Sequence, residues 1–272
     1  MRVVFLDAYN LIYRAKSGFT KGDNYVIYNF FRGLRPLVDK YKPDIVYFAL
    51  EGRPKHRQKI SSGDYKSNRK TQGDFFHAQK ASIIEAVKAY LPFVTVRHPD
   101  FECDDVIATY VYKHARNGDD CFVISSDSDF IQLHNICGVT LYNPVKKKEI
   151  EKPPYDYVMW KSLRGDATDN IPGIKGVGDK TADKLMKDPQ LLREFLDKPG
   201  HRDIFNRNVN LIRLVDLSYA EDEMEITTSK LKEQDLHDYF LELGFDSMVK
   251  EKAWENYIKT FKRVDDGKNS QQ

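Results

Sequence analysis

Between residues 2 and 143, short apolar runs alternate with stretches of helical period. Val3–Leu6 reads as a buried strand that stops at Asp7, with Asn10–Ala15 following as a turn or short helix. Tyr25–Tyr41 puts Val26, Phe30, Leu34, Leu37 and Val38 on one helical face, with Pro36 as an expected kink and Pro43 beyond its end. Ile45–Leu50 is a second apolar strand, and it ends at Glu51. Asp74–Tyr90 returns to helical period, Phe93–Val96 is a short strand, and Val106–Arg116 is a helix preceded by an acidic group. Cys121–Ser125 is another apolar strand, ending in the acids of FVISSDSDF, Asp127 and Asp129. Phe130–Leu133 starts a short helix and Val139–Asn143 reads as a further strand.

This alternation predicts an α/β fold with a mostly parallel central sheet flanked by helices. Ligands of such sheets sit beyond the carboxyl ends of the strands. Asp7, Glu51 and Asp127 each follow an apolar run, so all three are expected at one rim. The charged connector Lys146–Pro154 suggests a boundary near residue 152, closing a first domain over 1–152. Beyond it the pattern is helical, over Tyr155–Leu163, Lys180–Met186, Pro189–Leu196, Phe205–Asp216 and Leu236–Leu243. A helical domain over 153–262 is expected, with Trp160 and Trp254 in its core, then a polar, disordered tail over 263–272.

Composition narrows the class. The chain has 272 residues, 41% hydrophobic and 31% charged, the balance of a soluble globular protein. It has no apolar run of ~18 residues, and Asp7 comes too early for a secretory signal. Cys103, Cys121 and Cys137 lack CxxC spacing and read as the reduced thiols of a cytoplasmic protein. The net charge of +2 conceals a separation of signs. Arg53, Lys55, Arg57, Lys59, Lys66, Arg69 and Lys70 face a single acid, Asp64, within one stretch. That stretch belongs to Gly52–Gly73, long for a connection and read as either a functional loop or a mobile basic arch. Tyr65 beside Lys66 and Arg69 suits base stacking with phosphate neutralisation.

The candidate acids are Asp7, Glu51, Glu102, Asp104, Asp105, Asp127, Asp129, Asp166 and Asp169. So many converging carboxylates need cations between them to stay ionised. Oxygen ligands without His or Cys at ligand spacing favour Mg2+, with Mn2+ able to substitute, over zinc. Two ions ~4 Å apart would activate water and stabilise a leaving alkoxide in phosphodiester hydrolysis. Lys66 or Arg69 near the metals would stabilise the transition state. In the stretch GDATDNIPGIKGVGDKTADKLMK, Gly173, Gly176 and Gly178 permit a tight turn before a helix that starts at Lys180 and Thr181. Main-chain N–H groups and a helix N-terminus, with Lys175 and Lys180 alongside, suit the DNA backbone.

Together these stretches resemble the 5′-nuclease superfamily of flap endonucleases and 5′–3′ exonucleases, across residues 2–260. AYLPFVTV, ISSDSDFIQLH and NLIRLVDLSY are most similar to its T-even phage branch, an RNase H-type 5′ nuclease unrelated in fold to cellular RNase H. The resemblance implies a PIN-like nuclease domain joined to a helix-three-turn-helix DNA-binding domain. It implies Asp7, Glu51, Glu102 and Asp104 around a first ion, and Asp127, Asp129, Asp166 and Asp169 around a second. Glu51 departs from the family pattern, which has an aspartate there. Lys66 and Arg69 match cations at the base of the arch that assist at the scissile phosphate. Gly173–Lys180 matches a duplex site whose backbone carbonyls also hold K+. The implied partners are branched, nicked or flapped duplex DNA and RNA–DNA hybrid, with a sliding clamp or single-strand-binding protein as candidates. No membrane is implied, and a monomer in the cytoplasm, of the host cell if phage-encoded, is expected. Two alternatives stay open: a branched-DNA-binding protein without catalysis, and a PIN-type ribonuclease.

Overall fold

The computed structural model describes residues 1–18, 22–69 and 71–269. Lys70, one of the expected DNA contacts, lies outside the described residues, as do residues 270–272 of the expected tail.

The apolar runs form five strands of a seven-stranded sheet: β1 (Arg2–Asp7), β2 (Ile45–Ala49), β3 (Val94–Arg97), β4 (Asp120–Ile124) and β5 (Val139–Asn143). The exposed charged pair β6 (Lys148–Glu149), from the connector, adds a sixth. The order is β6-β5-β4-β1-β2-β3 plus one further strand beyond β3. The five strands β1 to β5 pair in parallel, while β6 pairs antiparallel to β5. Both faces of β1 are buried, which explains its unbroken hydrophobicity. Val4 and Leu6 enter one core with α1 (Ala8–Lys16), α2 (Tyr25–Tyr41) and α4 (Asp74–Tyr90). Val3 and Phe5 enter the other with α5 (Cys103–Arg116). The helix α2 runs through Pro36. Between β2 and α4 lies the short α3 (Lys55–Ile60).

A smaller helical body follows. It holds α6 (Tyr157–Arg164), a ribbon of β7 (Gly165–Asp166) and β8 (Ile171–Pro172), α7 (Asp179–Lys187), α8 (Pro189–Leu196) and α9 (His201–Ile212). Its core is built on Leu163, Ile174, Val177, Ala182 and Leu185, with Trp160 packed against it.

The chain then turns back. Leu214, Leu217 and Met224 join the α5 face of the sheet. The strand β9 (Glu225–Thr228) adds to the sheet antiparallel to β3. Helices α10 (Glu233–Glu242), α11 (Asp246–Val249) and α12 (Glu251–Asn269) cover the opposite face, with Leu236, Phe240, Phe261 and Val264 in the first core. Three expectations therefore change. Residues from 213 onward rejoin the first body, so they are not part of the helical domain drawn over 153–262. Trp254 packs against Phe240 and Tyr257 in that same core, not in the helical body. The tail from Arg263 continues α12 through Asn269, because Val264 faces the core and Asp265 accepts the Leu231 N–H. Polar composition hid one buried stripe.

Ending the chain at Lys262 would remove the burial of Val264, worth about 2 kcal/mol by itself. A lower melting temperature is the expected outcome in thermal unfolding, and an unchanged one would restore the reading of a free tail.

Candidate active site

The parallel register brings the strand-end acids together. Asp7 lies level with Ala49, and Leu6 with Ile124, so β1, β2 and β4 stop at one rim. Asp7 is both the last residue of β1 and the cap of α1, its Oδ1 accepting the Asn10 N–H at 3.1 Å. Its Oδ2 accepts the Ser125 hydroxyl at 2.8 Å. Glu51, two residues past β2, accepts the Cys103 N–H at 3.2 Å. Asp127 caps the 3-10 helix Ser128–Asn135 through the Asp129 N–H at 2.9 Å. Glu102 and Asp104 come from the start of α5. Asn10 and Ser126 lock the floor by hydrogen bonds of 2.8 and 3.0 Å.

These residues line a cleft of about 360 Å3 with five carboxylates (Asp7, Glu51, Glu102, Asp104 and Asp127) and two cations (Lys66 and Arg69). Tyr9, Asn10, Tyr13 and Cys103 complete the wall. Burial, with neighbouring carboxylates adding to it, pushes Asp7 up to about 6 and Glu51 up to about 7. Burial raises Asp127 and Glu102 as well. A hard divalent cation meets what this excess of oxygen charge lacks, so the donor set fits such an ion.

The remaining acids are arranged differently. Oxygens of Asp129, Asp166 and Asp169 lie within 4.8 Å of one another. Asp129 and Asp166 share the ammonium of Lys161, at 2.5 Å from Asp166. Burial opposes the Lys161 charge, but Asp129 above all holds it well above the ordinary ammonium value. The Lys161 bond keeps Asp166 below the usual carboxylate range despite burial. Asp169 accepts from Arg69 at 2.6 Å and from the Tyr65 hydroxyl at 3.2 Å. Lys161 was not legible as a site residue. A signal existed: on α6 it follows Tyr157 by four residues and Val158 by three, so it lies on the buried stripe.

Three expected assignments are corrected. Arg57 does not face DNA. It is 1% exposed, pairs with both oxygens of Asp105 at 2.5 and 2.8 Å and with Glu102 at 2.9 Å, and donates to the carbonyls of Leu211 and Arg213. Asp105 therefore meets any metal only in competition with Arg57. Its oxygens lie near those of Glu102 and Asp104, yet Arg57 and the Val215 N–H take them both. Tyr65 is not a stacking face. It is buried among Val158, Ile171, Leu211 and Ile212, and its hydroxyl donates to Glu102 at 2.9 Å. The expected arch is thus pinned in its middle. Lys66 N donates to the Asp169 carbonyl at 3.0 Å, and Asn68 to that of Ala167 at 2.9 Å. Lys66 adopts a left-handed φ of 57°, and its ammonium reaches Glu102 and Asp169. Arg53 and Lys55 are exposed, Lys55 pairing with Asp100.

The loop that carries Asp166 and Asp169 runs directly into the glycine turn. Gly165 and Gly173 cross so closely that a Cβ on Gly173 would sit 2.0 Å from the Arg164 carbonyl. Gly176 takes the left-handed φ of 81° that the turn needs. Gly178 precedes α7 with open space where a side chain would be. Ile174 and Val177 are buried and fasten the turn to the helical core. Lys175 and Lys180 are exposed, and Thr181 is half-buried.

A parallel sheet with an acid-lined rim, joined through its outer acids to a glycine-turned helical body, is the architecture of the PIN-like 5′-nuclease fold with a C-terminal helical domain. The chain belongs to the 5′–3′ exonuclease family. The family's N-terminal resolvase-like domain matches residues 2–161 and its C-terminal SAM fold matches residues 152–228. The chain is 28% identical over 284 residues to DNA polymerase I of Caldicellulosiruptor bescii, covering 92% of this chain but only 33% of that protein. It therefore spans about a third of that relative. A 5′-3′ exonuclease of Aquifex aeolicus is 29% identical over 247 residues, covering 83% of this chain and 84% of its own length. In fold, the chain is similar to the T5 5′-exonuclease with bound zinc, with a TM-score of 0.67 and 18% identity over 97% of this chain and 99% of that one. The catalytic core of Rad2 in complex with DNA substrate aligns at a TM-score of 0.52 with 14% identity, over 96% of this chain and 92% of that one.

Two outcomes test this geometry. Arg57→Met leaves the fully buried Asp105 without its counter-charge, so stability is expected to fall by about 3 to 5 kcal/mol in denaturant titration. DNA affinity of the folded fraction should stay near wild type; lost affinity at unchanged stability would return Arg57 to the DNA surface. The second outcome depends on pH. Folded Asp7 titrates near 6 and the unfolded group near 3.8, so ionising it costs stability above pH 6 and nothing below pH 4. With divalent ions chelated, Asp7→Asn is expected to stabilise the protein at pH 8 by up to roughly 3 kcal/mol and to give no gain at pH 4. Equal effects at both pH values in thermal melts would reject the buried-charge account.

Proposed function

We propose that this chain is a structure-specific 5′ nuclease, acting as exonuclease and flap endonuclease on branched or nicked duplex and removing RNA primers or 5′ flaps during replication. One observation carries the reading: five carboxylates from β1, β2, α5 and the end of β4 line a single cleft, and the neighbouring acids Asp166 and Asp169 lie on the loop that becomes the glycine turn. Cutting chemistry and backbone grip are thus covalently adjacent.

Asp7, Glu51, Glu102 and Asp104 would hold one Mg2+, with Mn2+ able to substitute, and Asp127, expected around the second ion, lines this same cleft. Asp129, Asp166 and Asp169 would hold a second. When bound, the ions supply an activated water and a clamp on the charge of the reacting phosphate. The chain's own residues do the rest. Lys66 and Arg69 are the cations of the cleft wall, and they neutralise a phosphate drawn toward the acids. Ser125 and Asn10 fix the Asp7 carboxylate so that it does not turn away. Lys161 keeps Asp129 and Asp166 in register while the outer site is unfilled by charge from elsewhere. The turn at Gly173–Gly178, with Lys175 and Lys180 exposed beside it, takes the duplex by its phosphates and reads shape, not sequence. Its backbone carbonyls are the proposed K+ site.

Asp127→Asn is expected to lower Mg2+-dependent cleavage of a labelled 5′-flap duplex by about 100- to 1,000-fold while flap binding is retained. Cleavage near the wild-type rate would remove Asp127 from the machinery. A wild-type protein that binds the flap and cuts it at no Mg2+ concentration would overturn the nuclease reading.

A further inference from the structure

Two aromatic rings are exposed on neighbouring stacks, of which one reaches the cleft: Tyr13, in the cleft wall, is 42% exposed and Phe75 is 53% exposed. Both sit in stacks that lead away from the acids. Tyr13 lines the cleft and stacks on Phe76, with ring centroids 4.9 Å apart and planes 29° apart. Phe75, the next residue along α4, stacks on Tyr25 of α2 at 6.0 Å and 23°. The Lys16 ammonium stands 5.2 Å over the Phe76 ring. The four rings make two steps that continue from the cleft wall.

The two steps are not alike. Phe76 is 4% exposed and belongs to the first core, so packing accounts for it. Packing does not account for Phe75, which belongs to no core cluster and leaves most of its ring in water, held flat by Tyr25 behind it. A single exposed apolar residue is ordinary. An exposed ring stacked on a second ring, and next in sequence to Phe76, which itself stacks on the cleft residue Tyr13 under the Lys16 ammonium, has the parts of a base-stacking platform. Only an unpaired base has a free face to offer, because the bases of a duplex already stack on one another. The glycine turn meets the cleft through the loop of Asp166 and Asp169, whereas the rings meet it through Tyr13 of α1. The duplex and the unpaired strand therefore have separate approaches to the acids.

We propose that Phe75, backed by Tyr25, is a stacking site for an unpaired base on the 5′ side of the scissile phosphate. This inference rests on the 5′-nuclease reading above and adds to it the element that distinguishes a flap from a nick. Every base has a π face, so the platform acts without sequence preference.

The test compares Phe75→Ala with wild type on two DNA duplexes, one with a 5′ flap carrying 2-aminopurine and one nicked without a flap, with divalent ions chelated to prevent cutting. The Phe75 ring is exposed, so the variant is expected to melt near wild type. Its affinity for the flapped duplex should fall about tenfold and that for the nicked duplex should change by less than about twofold. Quenching of 2-aminopurine on binding should be lost in Phe75→Ala and recovered in Phe75→Trp. Unchanged flap affinity and quenching, or equal losses on both duplexes, would overturn the stacking site while the nuclease reading stands. Wild-type protein with no preference for either duplex over unbranched DNA would overturn both.

Discussion

Carboxylates crowded into a protein rim repel one another, and here that repulsion is divided by four cations from distant parts of the chain. Arg57, Lys66 and Arg69 arrive on one strap between β2 and α4, and Lys161 arrives on α6. Arg57 and Lys66 share Glu102, Lys66 and Arg69 share Asp169, and Lys161 takes Asp129 and Asp166. Arg57 removes Asp105 from the cleft and turns it into a structural anchor. Lys161 bridges the facing oxygens of Asp129 and Asp166 and holds them side by side. The acids left lining the cleft keep an unbalanced charge, and burial pushes Asp7 and Glu51 toward neutral pH. The site's appetite for cations comes from this division and not from the number of acids alone.

The same pairs hold the two bodies of the molecule together. The Arg57 guanidinium joins α5 to the carbonyls of Leu211 and Arg213 at the end of α9. Tyr65 and Lys66 join the strap to Glu102 on one side and Asp169 on the other. The proposed function, with duplex held by one body and cut by the other, requires a fixed distance between them. Buried ion pairs of defined geometry supply that more sharply than apolar contact, since breaking one leaves a stranded charge.

The basic strap shows how a single stretch serves two ends. Its buried residues, Arg57 and Tyr65, are spent on architecture. Its half-buried and exposed cations, Lys66 and Arg69, lean over the cleft. On the same wall, Tyr13 stacks on the buried Phe76, whose neighbour Phe75 is exposed again and stacks on Tyr25.

Much of the sheet and its rim was readable from residue order. Apolar runs of strand length can be satisfied only between two covered faces, and the acid after each run must then emerge at the carboxyl end. Asp7, Glu51 and Asp127 needed nothing more than that local rule. The return of the chain after residue 213 was not readable, because the four exposed residues of β9 and the mixed stripe of α12 carry weak patterns alone. The strand becomes one by pairing with β3, and Val264 becomes core by meeting the first body. The fate of the charged side chains was decided in the same way. Arg57 in a run of basic residues looks like its neighbours, and its burial depends on an aspartate 48 residues away and a carbonyl 154 residues away. Local pattern determined which residues reach the rim. Only the tertiary structure decided which charges would be neutralised inside it, because a buried charge is tolerable solely where distant partners converge on it.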